Sequence, residues 1–171
     1  MTRSVNSYYT IHENPYAVYK FDVSERTFEP IGEDYGELKG IVYADDPYSS
    51  DSYTQTKLYL WEDDHLNVLD FSFNPLETIP CAIEGRLLAF YAEHAHSFFS
   101  YVGSDGNEGS YTITLREFKI TEEGKVSPIL LHEIGIDAEE VTGMAADGFF
   151  LWILTDGEGS EAGKIFKLRE K

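Results

Sequence analysis

The stretch Glu140 to Leu168, EVTGMAADGFFLWILTDGEGSEAGKIFKL, decides the fold. It reads as strand, turn, buried strand, loop, strand. At its centre, Phe149-Phe150-Leu151-Trp152-Ile153-Leu154 is an unbroken apolar run. The run is too short for a membrane helix and predicts a strand covered on both faces. Asp147-Gly148 before it and Asp156-Gly157 after it are turn dipeptides, because glycine takes a positive φ without steric cost. The closing strand, Ile165 to Leu168, has counterparts upstream.

Those counterparts form a repeat. Phe21-x-Val23 is followed by Phe28-x-x-Ile31, Leu69-x-Phe71 by Leu76-x-x-Ile79, and Phe118-x-Ile120 by Val126-x-x-Ile129. Phe166-x-Leu168 is a fourth first half. The leading positions 21, 69, 118 and 166 are spaced 48, 49 and 48 residues apart. Each copy predicts a hairpin. In the first, Ala17, Tyr19, Phe21 and Val23 share one strand face and Ser24-Glu25-Arg26 turns the chain. In the third, the apolar phase slips after Leu115, which predicts a β-bulge near 116–117. A second echo has the form Glu, apolar, x, Gly, apolar: Glu37 to Ile41 and Glu140 to Met144. Residues 45–56 and 103–110 read as polar loops.

The unit is therefore about four short strands with Gly, Asp and Pro turns, the form of a β-propeller blade. The wording at 140–168, a Gly-Met strand, then D-G-x-x-L-W-I-x-T-D, then G-K-I-F-K-L, resembles blades of the NHL and lactonase-like propeller superfamily. The resemblance implies fold alone; no catalytic residue of such families falls on a matching motif here. The expectation is one all-β domain, propeller-like, with units over 7–36, 37–80, 81–135 and 136–171. The chain opens and closes in mid-unit, giving three and a half to four blades. An antiparallel β-sandwich or an open meander is the alternative.

Thirty-one acidic residues against thirteen basic ones leave a formal charge of −18. Such a surface repels nucleic-acid phosphates and anionic membranes, and it favours basic partners or simple solubility. One cysteine, Cys81, excludes an intrachain disulfide and points to a reducing compartment. With no apolar leader in MTRSVNSYYTIHENP, a cytoplasmic location is expected.

Candidate chemistry is sparse. On a strand, His94 and His96 of Glu93-His94-Ala95-His96 share a face, at a spacing for two ligands of one divalent metal. His65, His132 or Glu93 are the residue types for a third. The competing reading is a polar strand end. The acidic Gly loops at 105–109 and 156–161 depart from the EF-hand pattern and read as solvated turns. Cys81, between Pro80 and Ala82, reads as buried and inert. Neither a G-x-S-x-G elbow nor a phosphate-binding loop is present. Tyrosines crowd the first third beside acids, and Tyr beside carboxylate suits recognition of a basic surface. The candidate binding residues are Tyr35, Tyr43, Asp45, Asp46, Tyr48, Tyr53, Glu62, Asp63 and Asp64; the competing reading places these rings at strand edges and sheet interfaces.

Three functions follow as expectations. The first is a non-enzymatic acidic module that engages a basic protein partner, as an inhibitor or immunity protein does. The second is a divalent-cation-dependent propeller hydrolase or lactonase. The third is a half-propeller completed by a second copy, a homodimer, or by a larger assembly.

Overall fold

The structure is a computed structural model, and it describes residues 7–13, 16–33, 35–45, 56–70, 72–91, 96–107, 110–138, 140–147, 149–156 and 163–168. These residues form strands joined by turns, with no helix among them, so none is long and apolar enough to cross a membrane. The protein is all-β and the strands fall into four small antiparallel sheets, rather than the two of a sandwich.

Each sheet is a meander in chain order. Sheet 1 holds β1 (Ser7–Glu13), β2 (Tyr16–Asp22) and β3 (Thr27–Glu33). Sheet 2 holds β4 (Leu38–Asp45), β5 (Thr56–Glu62), β6 (His65–Leu69) and β7 (Pro75–Pro80). Sheet 3 holds β8 (Arg86–Tyr91), β9 (Ser97–Asn107), β10 (Ser110–Ile120) and β11 (Val126–Ile136). Sheet 4 holds β12 (Val141–Ala146), β13 (Leu151–Thr155) and β14 (Ile165–Leu168). Within each sheet, strands consecutive in the chain pair with one another, as sequential strands usually do.

Three cores separate the four sheets. Val18 of sheet 1 meets Leu38, Leu58, Leu60 and Leu69 of sheet 2. Tyr59, Trp61, Leu66 and Val68 of sheet 2 meet Leu88, Phe98 and Phe118 of sheet 3. Phe99, Tyr101, Ile113 and Leu115 of sheet 3 meet Val141, Leu151 and Ile153 of sheet 4. Period-2 alternation supplies both faces of the inner sheets, since odd and even residues of one strand point opposite ways. Within the middle core, Phe98 stacks on Phe118 with ring centroids 5.4 Å apart, and Trp61 meets Phe118 edge-on at 6.5 Å.

The leading strands run side by side: β4 touches β1 and β8, and β8 touches β12. No comparable contact joins β12 back to β1 among the described residues. Among the described residues the stack is open between sheets 4 and 1.

The register of β10 against β11 slips between Glu117 and Phe118, but the extra residue is Ile129 of β11 and not an insertion in β10 near 116–117. Alternation continues along β10, with Ile113, Leu115 and Glu117 on the face toward sheet 4 and Phe118 and Ile120 on the face toward sheet 2, so the change of apolar phase is a change of covered face. Of residues 103–110, expected as a loop, 103–107 and Ser110 are instead strand, with Thr114 paired to Gly103 and Thr112 to Asp105, while 108–109 lie outside the described residues. Backbone pairing there outweighs the poor strand propensity of Gly, Ser and Asp. The run 149–154, expected as a strand covered on both faces, is strand only from Leu151 and is covered on one face. Leu151 and Ile153 are buried while Leu154 is 44% exposed. The reason is architectural, because among the described residues no further sheet lies beyond sheet 4.

Candidate functional site

The first strands of all four sheets converge on one cavity of about 520 Å³. Sheet 1 supplies Thr10, Ile11 and Tyr16. Sheet 2 and the segment before it supply Glu37, Leu38 and Lys39. Sheet 3 supplies Arg86 and Leu87, and sheet 4 with its leading segment supplies Glu140, Val141 and Thr142. The two glutamates are the opening residues of the Glu-x-x-Gly echo. The cavity lies at the end of the molecule where β4, β8 and β12 begin. The links between sheets and the β5–β6 turn lie at the same end, since Leu38 pairs with Glu62 and Val141 with Thr155.

The cations at this end are held by the chain itself. Lys39 Nζ donates to the Asp63 carbonyl oxygen at 2.6 Å and lies 5.6 Å from the Trp61 ring centroid. Arg86 pairs with Glu140 and sits over the Tyr101 ring at 5.4 Å. Lys164 Nζ donates to Asp137 Oδ2 at 2.5 Å and to the Asp137 carbonyl at 3.1 Å. Around them, Glu37, Asp64, Glu84, Asp105 and Asp156 are exposed.

The expected binding residues divide into two groups. Tyr35, Glu62, Asp63 and Asp64 come together beside the cavity mouth. Glu62 is an internal tie, since its Oε1 accepts from Gly36 N at 2.5 Å and its Oε2 from Asn67 Nδ2 at 2.7 Å. Asp63, at a positive φ of 49°, accepts from Glu37 N at 2.9 Å, which fastens the link between sheets 1 and 2 to the β5–β6 turn. Asp64 projects outward, with its side chain 88% exposed. Burial, and then the neighbouring Glu62 charge, hold the Tyr35 hydroxyl above its ordinary pKa, so it stays a hydrogen-bond donor.

Tyr43 and Asp45 lie at the far end of β4, with Tyr43 opposite Leu58 and Asp45 opposite Thr56. A strand of that length separates them from Glu62 by roughly 20 Å. Tyr43 packs edge-on to Tyr9 at 5.2 Å beside the first core, and burial raises its pKa. The nine residues therefore do not make one surface. Asp46, Tyr48 and Tyr53 lie outside the described residues.

His96 is exposed in the turn before β9, at a φ of 52°, with its ring 6.0 Å from Phe90. Strand alternation, the premise for placing His94 and His96 on one face, does not hold at His96; His94 lies outside the described residues. No group of three or more metal-ligating side chains gathers among the described residues. His132 is engaged elsewhere. It lies 2.8 Å from Glu117 Oε2, whose Oε1 accepts from the buried Ser97 hydroxyl at 2.6 Å. Nothing in the spacing of 97, 117 and 132 announced that cluster, because three strands paired side by side assemble it. Cys81 is buried and its thiol is pushed up to about 11 by desolvation, as expected of an inert cysteine.

No protein-family model matches this sequence, and no curated protein matches it significantly.

Proposed function

We propose that the chain is an acidic, propeller-like binding module that engages a basic protein partner through the end where the cavity opens. The observation that carries this reading is the fate of the cations there. Lys39, Arg86 and Lys164 are each held by acceptors of the chain, while Asp64, Glu84 and Asp156 face solvent around them. A partner approaching that end meets carboxylate, which steers a basic surface and rejects an acidic one. The blade-like reading rests on four consecutive meanders whose leading strands share one cavity. A cation-dependent hydrolase gains no support from the geometry. His96 lies in a first-to-second strand turn, at the end away from the cavity, whose lining mixes Glu37 and Glu140 with Lys39 and Arg86.

The test is binding to an array of basic, neutral and acidic peptides at about 50 and 500 mM salt. Basic peptides are expected to bind, and to weaken by at least tenfold at high salt. Asp64→Lys with Glu84→Lys should weaken binding about tenfold, while Glu122→Lys with Glu123→Lys, at the opposite end, should leave it within about twofold. Equal losses from both pairs would reduce the effect to net charge and sink the assignment of a face.

A further inference from the structure

The open side of the stack is built like an interface. Register makes sheet 4 directly comparable with sheet 2. Gly40 pairs with Trp61, which pairs with Leu66; Gly143 pairs with Leu154, which pairs with Ile165. Two residues on, Val42, Tyr59 and Val68 form a row matched by Ala145, Trp152 and Lys167. In sheet 2 this face is the wall of the core shared with sheet 3, where Trp61 and Leu66 are fully buried. In sheet 4 the equivalent Leu154 and Ile165 are 44% and 69% exposed. Lys167 stands where sheet 2 has valine. Its Nζ lies 3.5 Å from the Phe150 ring centroid and 4.9 Å from that of Trp152, a cation laid over half-buried rings.

Sheet 1 has the opposite half. Its Val18 face packs on sheet 2, and by alternation Tyr19, Phe21 and Phe28 lie on the other face. Phe21 and Phe28 pack at 4.8 Å, and Phe28 is 63% exposed. Every internal interface joins a forward face of one sheet to a backward face of the next. Sheet 4 offers a forward face and sheet 1 a backward face, so the two are halves of a fourth interface of the same kind.

We infer that sheet 4 of one copy packs on sheet 1 of a second copy, and reciprocally, so that two chains close a single ring. The occupant is a second copy because the missing surface is one this chain itself carries, and because the three internal interfaces already show how such faces fit. The pairing also restores the double-sided cover that the Phe149–Leu154 run calls for. Two identical seams related by a twofold axis close the assembly and leave neither face over.

The experiment is sedimentation velocity on the full chain from about 1 to 100 µM, with Trp152 emission followed on dilution; Trp61 is buried at every concentration. A dimer is expected, with Trp152 shifting to the red as it dissociates. Ile165→Asp or Phe28→Asp, both at exposed positions, should each weaken the dimer about thirtyfold or more while leaving circular dichroism unchanged. An equimolar mixture of the two variants retains one intact seam and should associate more strongly than either variant alone. A monomer throughout, or a dimer indifferent to both substitutions, overturns the inference. Equal association of the mixture and the single variants overturns the sheet 4 to sheet 1 pairing. The apolar seam joins two chains of charge −18, so added salt should strengthen it. Binding of a basic partner should weaken with salt, so failure of one reading is distinct from failure of the other.

Discussion

Glu117 is a carboxylate inside an apolar interface, and its neighbours explain how it is tolerated. Alternation along β10 puts it on the same face as Ile113 and Leu115, where Ser97 donates to one oxygen and His132 stands at the other. Replacing it by alanine leaves Ser97 without its acceptor and a cavity beside Phe99. Glu117→Ala should cost about 3 kcal/mol in urea unfolding, because breaking one side of a buried pair exposes the other to an unpaired burial. An exposed acid behaves differently. Asp147 Oδ2 accepts from Trp152 Nε1 at 2.9 Å, and Oδ1 accepts from the Phe149 and Phe150 amides at 3.0 Å each. The indole bond first, and the amide bonds after it, hold its carboxyl below the ordinary carboxylate range. The sign follows from linkage. A depressed folded pKa adds stability above the ordinary carboxylate pKa, and that increment is lost as pH falls through the folded value. The Trp152 indole N–H resonance should therefore hold steady through the usual carboxylate range and move only at lower pH. In Asp147→Asn it should show no such titration. The turn at Asp147 was legible from Asp-Gly, whereas the Glu117 cluster was not, since its three members come from three strands.

At the scale of the element, two glycines of one motif have different duties. A Cβ on Gly40 would lie 2.8 Å from Leu88 Cβ and 2.9 Å from the backbone of Leu87 and Leu88, because β8 runs against β4 there. A Cβ on Gly143 would meet only Leu154 of its own sheet, at 3.5 Å. Gly40→Ala is expected to cost about 2 kcal/mol by forcing two backbones apart. Gly143→Ala should be within about 0.5 kcal/mol of the parent or slightly stabilising, since alanine also restricts the unfolded chain. Comparable thermal melts of the two variants would refute the assigned difference. The hairpins at Phe21, Leu69 and Phe118 were readable because turn chemistry and two-residue alternation act locally. The strands through 103–107 were not. Gly, Ser and Asp there hold strand geometry only because β10 supplies the hydrogen-bonding partner.

At the scale of the molecule, charge and apolar surface separate. Carboxylates ring the cavity end, and uncovered aromatic and aliphatic faces flank the opening between sheets 4 and 1. The first suits a basic partner and the second a further copy, and raising salt should move the two associations in opposite directions. The chain's own sequence determined the all-β class, the hairpins, the near-48-residue period and the acidity. All of these depend on residues near one another or on simple sums. It also placed an apolar run at 149–154, but not which neighbour covers it. Only the tertiary structure decided that three cores serve four sheets, that Glu37 and Glu140 meet across one cavity, and that Tyr43 parts from Tyr35. Each of those facts depends on how whole sheets stack, and the side chains that set the stacking lie tens of residues apart in the chain.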